Sequence, residues 1–117
     1  MLHPLRRVGQ SLLLSFLMLT PMLQDQLTTA TLVGTVSDST GAVIPRAKVT
    51  VVNVDTHDTQ SVPTNGSGEY RIDLLPVGTY TMTVESATFK KFVQNNIVLT
   101  VNQQARVNGV MEPGTRS

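Results

Sequence analysis

Cysteine and tryptophan are both absent from this chain of 117 residues, and aromatic side chains make up only 4% of it. Without cysteine there is no disulfide scaffold, no thiol nucleophile and no cysteine-ligated metal site. An excess of one charge is also missing, because nine Lys and Arg residues are balanced by eight Asp and Glu residues, for a formal net charge of +1. A chain this close to neutral lacks the dense positive charge that drives nucleic-acid binding.

The amino terminus differs in character from the rest of the chain. Arg6 and Arg7 precede an uncharged, leucine-rich run over residues 11–23, and the small residue Ala30 follows after a polar stretch. This order is the layout of a cleaved secretory signal peptide. The run is shorter than the ~20 residues that a membrane-spanning helix needs. We therefore predict a signal peptide over residues 1–30, with a buried amino-terminal helix or an uncleaved anchor as alternatives.

Removal of the signal peptide would leave 87 residues with seven basic and seven acidic side chains, because Arg6, Arg7 and Asp25 are lost with it. A neutral domain is not steered toward a polyanion or an anionic membrane surface. We predict no nucleic-acid partner and no transmembrane span in the mature chain. The predicted location is the periplasm or the outer membrane, with secretion as a further possibility.

After residue 30 the apolar residues alternate with polar ones in short segments. Seven such segments are separated by turns: residues 32–38, 47–54, 60–64, 69–74, 79–85, 97–101 and 105–111. In the fourth segment the alternation predicts that Tyr70, Ile72 and Leu74 face inward, and in the fifth segment Tyr80 faces inward. Pro63 marks the third segment as a sheet edge. Seven short strands with one apolar face each predict an all-β fold, a seven-stranded antiparallel β-sandwich.

Three motifs in this region resemble those of carboxypeptidase regulatory-like domains. Residues 33–51 are similar to the family's opening, a Gly-x-Val strand followed by Asp-x-x-Gly and a Pro-x-Ala-x-Val strand. Residues 64–70 resemble its Thr-x-x-x-Gly-x-Tyr turn, and residues 75–80 resemble its Leu-Pro-x-Gly-x-Tyr motif. The resemblance covers residues 31–112 and implies a transthyretin-like (prealbumin-like) sandwich, with residues 113–117 as a carboxyl-terminal tail or truncated linker.

The residues that carry this resemblance are of types that specify a fold. Glycine tolerates turn conformations, proline fixes bends, and an inward tyrosine packs its ring while its hydroxyl reaches the rim. We predict a fold-specifying role for Gly34, Gly41, Pro45, Gly68, Tyr70, Leu75, Pro76, Gly78, Tyr80 and Phe89. The chain departs from the family pattern at Arg46 and Thr88, where glycine is usual, and weaker turns are expected there.

The order of signal peptide and domain is similar to the amino-terminal extension of TonB-dependent outer-membrane receptors. This resemblance implies a protein partner in the cell envelope, namely a receptor plug or barrel, whether the chain is a stand-alone protein or a truncated receptor. The predicted function is a non-enzymatic interaction module. The alternative is a carbohydrate-binding module of a secreted or surface protein, which the absence of tryptophan and the inward tyrosines disfavour.

Side chains suited to catalysis are sparse outside the predicted signal peptide. His57 is the single histidine there, and it lies in a polar loop between Asp55 and Asp58. One histidine between loop carboxylates falls short of the three protein ligands of a catalytic zinc site, and the serines lack a nucleophile-elbow motif. We therefore predict no catalytic residue, no cofactor and no bound metal, and hence that the chain is not an enzyme.

Overall fold

The computed structural model describes residues 28–114, which form eight β-strands. These are β1 (Thr29–Asp38), β2 (Lys48–Asn53), β3 (Thr59–Pro63), β4 (Glu69–Pro76), β5 (Gly78–Glu85), β6 (Phe92–Leu99), β7 (Gln104–Arg106) and β8 (Gly109–Met111). The predicted signal peptide lies outside the described residues except for its last three positions, of which Thr29 and Ala30 belong to β1. Within residues 28–114, no helix has the length and apolar character needed to cross a membrane.

Strand β1 is the centre of the first sheet. It pairs antiparallel with β4 on one side and parallel with β7 and then β8 on the other. Its ten residues are enough for two three-residue strands to follow one another along the same edge. Between these strands, the amide of Thr35 donates a hydrogen bond of 2.9 Å to Oδ1 of Asn108. The asparagine side chain thus supplies the acceptor that a continuous strand would provide from its backbone.

The second sheet is antiparallel and has the strand order β3-β2-β5-β6. Its two central strands, β2 and β5, are rich in valine and threonine, whose branched side chains suit a pleated surface. Strand β3 is an edge strand, as its proline predicted, and Pro63 stands at its last position. The inward valines of β2 alternate with exposed or half-buried residues, which turns one face of this sheet toward the first sheet.

One aliphatic core fills the space between the two sheets. Its largest fully buried side chains are Leu32, Val36, Val49, Val51, Leu75, Met82, Val84, Leu99 and Met111. Tyr70 and Tyr80 are the two tyrosines of the core, and Phe89 and Phe92 are half-buried against it. Removing methylene groups from such a core costs the transfer free energy of those atoms and leaves a cavity.

The predicted all-β sandwich is confirmed, while the strand count and some pairings differ from the prediction. The last predicted segment, residues 105–111, is divided into β7 and β8, because Asn108 leaves the backbone ladder there. This division gives eight strands, and both halves run parallel to β1. The sixth strand spans Phe92–Leu99 rather than residues 97–101, since the amide of Thr100 turns to bind Oε1 of Gln103 at 2.8 Å.

The predicted inward orientation of Leu74 is wrong. Leu74 has a φ of 57° and a side chain that is 70% exposed, whereas Leu75 is buried. The pairing of β1 with β4 shifts register at this point, between Ala30 and Leu32. A bulge of this kind adds a residue to one strand and reverses the alternation beyond it. The alternation of buried and exposed side chains therefore includes Tyr70 and Ile72 and ends before Leu74.

Candidate functional site

Gly34 and Tyr70 are paired across strands β1 and β4. A Cβ atom at Gly34 would overlap the carbonyl oxygen of Val107 and would come within 2.7 Å of the Tyr70 ring. The Tyr70 hydroxyl donates a hydrogen bond of 2.6 Å to the carbonyl oxygen of Val107 and lies 3.3 Å from Sδ of Met82. Burial raises the pKa of Tyr70, and the positive charge of Arg106 partly opposes that rise. The Tyr70 ring and hydroxyl thus occupy the space that a side chain at residue 34 would fill.

The predicted turn glycines have positive φ angles: 93° at Gly41, 75° at Gly68 and 150° at Gly78. Gly68 is the most enclosed of the three, because an added Cβ would lie 2.8 Å from both the carbonyl oxygen of Val36 and Cβ of Val43. A side chain there would meet both a strained backbone conformation and a steric clash. Pro45 is exposed in the turn that precedes β2.

The remaining predicted fold-specifying residues lie around the turn of the β4–β5 hairpin and in the loop after β5. The Tyr80 hydroxyl donates a hydrogen bond of 2.7 Å to the carbonyl oxygen of Pro76, and Leu75 is buried beside the bulge. Phe89 packs against the core and forms a backbone bridge with Pro113. All these contacts are to the core or the backbone, so the ten residues stay proposed fold-specifying positions.

Two buried polar residues were not predicted. The Thr64 hydroxyl donates a hydrogen bond of 2.7 Å to the carbonyl oxygen of Ile44 and accepts one of 2.8 Å from the amide of Ala47. Oδ1 of Asn53 accepts hydrogen bonds from the amides two and three residues further along the chain. Thr64 begins the motif that resembles the family's Thr-x-x-x-Gly-x-Tyr turn, so its position in that motif is the signal that could have identified it.

An open groove of about 520 Å³ lies against the first sheet. Its lining residues come from β1, β4, β7, the end of β3 and the loop that joins β3 to β4: Val33, Gly34, Pro63, Asn65, Glu69, Tyr70, Arg71, Gln104 and Arg106. The volume falls within the range of small-molecule sites. Apart from Gly34 and Tyr70, none of these residues was a predicted site residue. The groove is the candidate binding site of the described part of the chain.

The charged side chains of the groove lie in a defined register. Val33 of β1 pairs with Arg71 of β4 on one side and with Arg106 of β7 on the other. Nε of Arg71 is 2.9 Å from one carboxylate oxygen of Asp73. Nη1 of Arg106 is 3.5 Å from Oδ1 of Asn108, and within residues 28–114 it makes no ion pair with a carboxylate. Two arginines therefore occupy the strand positions on either side of Val33.

The loop with Asp55, His57 and Asp58 connects β2 to β3. The amide of His57 donates a hydrogen bond of 2.8 Å to the carbonyl oxygen of Asn53, and His57 has a φ of 67°. All three side chains are exposed. In the part of the chain that the structure describes, no group of three or more His, Asp or Glu side chains is placed to hold a metal ion.

Residues 31–112 match the carboxypeptidase regulatory-like domain. Because the match covers well over half of the chain, the fold and sequence together define the class: the chain belongs to the carboxypeptidase regulatory-like domain family. It is also similar to the TonB-dependent transporter Oar of Myxococcus xanthus, with 36% identity over 86 residues. That alignment covers 72% of this chain and 8% of the transporter, so the chain spans a small part of its relative's length.

Solved structures with the same fold are distant in sequence. Catechol 1,2-dioxygenase from Acinetobacter radioresistens superposes with a TM-score of 0.63 at 12% identity, over 79% of this chain and 54% of the enzyme. A candidate carbohydrate-binding protein from Bacteroides uniformis superposes with a TM-score of 0.61 at 21% identity, over 74% of this chain and 42% of that protein. At these identities the likeness shows the fold alone.

These structural neighbours correct the prediction that the chain is not an enzyme. Sandwiches of this shape are part of catechol dioxygenases from several bacteria, at 12% identity or less to this chain. A fold that occurs in enzymes gives no ground for excluding catalysis, because function is decided by sites and not by architecture. The prediction is therefore wrong, and the fold likeness by itself assigns no reaction in its place.

Proposed function

We propose that the chain is a recognition domain of a TonB-dependent transporter-like protein, exported to the periplasm or the outer membrane of a bacterial cell. The observation that carries this proposal is the 36% identity to a TonB-dependent transporter over 86 residues. The predicted signal peptide over residues 1–30 supports export. In this role the sandwich binds a protein partner of the envelope, the plug or barrel of a receptor.

Strand β6 offers a suitable contact for such a partner. It is an edge strand of the second sheet, and its eight residues include neither a charge nor a proline. Charges and prolines are common means of keeping an edge strand from pairing with another chain. Val93 and Val98 of β6 are about half exposed, at 49% and 59%. An extended segment of the partner can pair with this edge through backbone hydrogen bonds and cover both valines.

Cell fractionation tests the proposed location. The full chain, with an epitope tag at its carboxyl terminus, is expressed in a Gram-negative host and followed in cytoplasmic, periplasmic and membrane fractions. We expect a processed form in the periplasm or with the outer membrane. Leu14→Arg is the matched control, because a charge within the apolar run of residues 11–23 disables a signal peptide. An unprocessed wild-type chain in the cytoplasm would overturn the proposal.

Carbohydrate binding is a second candidate function, and the groove is the observation that favours it. Its amide, guanidinium and carboxylate groups can exchange hydrogen bonds with sugar hydroxyls. The ring of Tyr70 is buried, so recognition would depend on hydrogen bonds and not on aromatic stacking. An array of neutral and acidic glycans, probed with the purified chain, tests this function. Absence of binding across the array would remove it.

A further inference from the structure

The two arginines of the groove are held in one row across the first sheet. Arg71 and Arg106 both pair with Val33, one from each side, so a single strand separates them. Adjacent strands are about 4.8 Å apart, which puts the two backbones roughly 10 Å from each other. Long side chains at that separation can reach one ligand from opposite sides. Arg71 already contacts the Asp73 carboxylate at 2.9 Å, so Arg106 is the cation of this row without a carboxylate partner within residues 28–114.

The hydrogen bonds of the two guanidinium groups leave donors for a ligand. Both bonds from Arg71 to Asp73 run from Nε, at 2.9 and 3.2 Å, so they orient the group without engaging its terminal nitrogens. The contact from Arg106 to Asn108 is long, at 3.5 Å. Within residues 28–114 the terminal nitrogens of Arg71 have no hydrogen-bond partner. The terminal nitrogens of a planar guanidinium match the two oxygens of a carboxylate.

Glu69 decides between the kinds of anion. This exposed carboxylate lines the same groove and can only accept hydrogen bonds when it is ionised. Sulfate offers oxygen acceptors to the arginines but no hydroxyl donor to Glu69, and the phosphate dianion offers a single one. A sugar acid offers a carboxylate to the arginines and hydroxyl donors to Glu69. The pairing of donor-only and acceptor-only groups in one groove therefore favours a ligand that carries both a carboxylate and hydroxyl groups.

We propose that the groove binds a uronic-acid saccharide, with the sugar carboxylate held between Arg106 and Arg71 and the hydroxyl groups of the sugar bound by Glu69, Asn65 and Gln104. This inference rests on the second candidate function, carbohydrate binding, and names its ligand class. Val33, which is 8% exposed, lies between the two arginines in the sheet. The charged group, and not an aromatic platform, provides most of the selectivity.

Matched acidic and neutral saccharides test the inference. Calorimetric titrations compare oligomers of galacturonate, glucuronate and mannuronate with their methyl esters, which keep the rings and remove the charge. We expect at least one acid to bind and its ester to bind about tenfold more weakly, as a charge-assisted hydrogen bond lost from a complex predicts. Arg106→Gln should weaken binding of that acid by a similar factor. Lys48→Gln, which removes a cation from the opposite sheet, should leave it unchanged.

The possible results separate this inference from the function on which it rests. Equal binding of acid and ester, insensitive to Arg106→Gln, would leave carbohydrate binding in place and overturn the carboxylate site. Binding of the acid that Lys48→Gln weakens as much as Arg106→Gln would also overturn it, because only overall charge would then matter. Failure of every acid and ester to bind would overturn the inference, while binding to other glycans on the array would still support carbohydrate recognition. Thermal melting checks that each variant is folded.

Discussion

The Tyr70 hydroxyl donates a hydrogen bond of 2.6 Å to the carbonyl oxygen of Val107, where the backbone passes from β7 to β8. The two residues are 37 positions apart, and the bond ties strand β4 to the interruption in the opposite edge of the same sheet. Gly34 of the intervening strand leaves room for it. One side chain from the core thus holds the break between β7 and β8 in place.

Tyr70→Phe should lower the free energy of unfolding by about 1–2 kcal/mol, because the carbonyl group of Val107 loses its partner while the ring remains. Urea denaturation of the two proteins measures the difference. Met82→Leu is the control: it removes the sulfur that contacts the Tyr70 hydroxyl but keeps the bond to Val107. This volume-conserving change should cost less than about 1.5 kcal/mol. A Tyr70→Phe variant as stable as the wild type would contradict the role of the hydroxyl.

The same tyrosine should make the fold sensitive to alkaline pH. Burial raises its pKa above the ordinary value of 10.0, so the folded state holds this proton more tightly than the unfolded chain. The resulting stability is fully present below the unfolded pKa and is lost as the pH rises above it. Urea denaturation midpoints are measured at several pH values between about 9 and 11. As the pH rises, they should fall more steeply for the wild type than for Tyr70→Phe. Parallel slopes would show that the proton on Tyr70 contributes nothing.

Gly34→Ala should destabilise the domain by about 3 kcal/mol or more, because the new methyl group overlaps backbone that cannot move without breaking the sheet. Gly66→Ala is the matched control. No atom lies within 4 Å of a Cβ placed there, so its effect should stay within about 0.5 kcal/mol. Thermal melting distinguishes the two variants. Equal melting temperatures would mean that the close approach of Gly34 to Val107 is not needed for stability.

The sequence predicted those parts of the fold that depend on local alternation. Tyr70, Ile72 and Tyr80 are buried as the period of two requires, because each lies in a regular stretch of its strand. Leu74 is exposed because a bulge depends on the partner strand, and nothing in the leucine itself signals a φ of 57°. The break between β7 and β8 depends in the same way on Asn108, whose side chain binds a strand far away in sequence.

The groove was not predictable from the sequence. Arg71 and Arg106 each occupy an outward position, where a charged residue is the ordinary choice and carries no signal. Their proximity depends on β7 running parallel to β1 on the edge opposite β4. Parallel pairing at the end of an otherwise antiparallel topology cannot be read from the alternation of residues. A site assembled by strand order in this way becomes visible only once the sheet is known.

Arg46→Gly and Thr88→Gly should each stabilise the fold by about 1 kcal/mol, because both residues have positive φ, at 58° and 72°. These are also the two positions at which the chain lacks the glycine that is usual in carboxypeptidase regulatory-like domains. Ala87→Gly is the control for Thr88, since Ala87 is exposed and has no positive φ. It should destabilise by about 0.5–1 kcal/mol. Destabilisation by all three glycines would contradict the strain at these turns.

Thr40→Val should raise the pKa of Asp38, because the Thr40 hydroxyl, which donates a hydrogen bond of 2.7 Å to that carboxylate, is the main cause of its lowered pKa. The stability that this bond provides is present above the ordinary pKa of 3.8 and is lost as the pH falls through the lower, folded value. NMR titration of the Asp38 carboxyl measures the shift. Thr50→Val is the control, because it removes a threonine hydroxyl that contacts Ser61 and not Asp38. An unchanged Asp38 pKa in Thr40→Val would contradict the assignment.

A chain that begins at Thr31, as cleavage after Ala30 would leave it, should be less stable than one that begins at Thr28. Ala30 is 3% exposed and pairs with Leu75, and the carbonyl oxygen of Thr29 accepts a hydrogen bond of 2.9 Å from the amide of Asn102. Loss of these contacts should cost about 2 kcal/mol in the free energy of unfolding. Urea denaturation of the two chains measures the difference, and mass spectrometry of the exported protein locates its amino terminus. Equal stability would mean that the first two residues of β1 are dispensable and that a signal peptide ending at Ala30 leaves a complete domain.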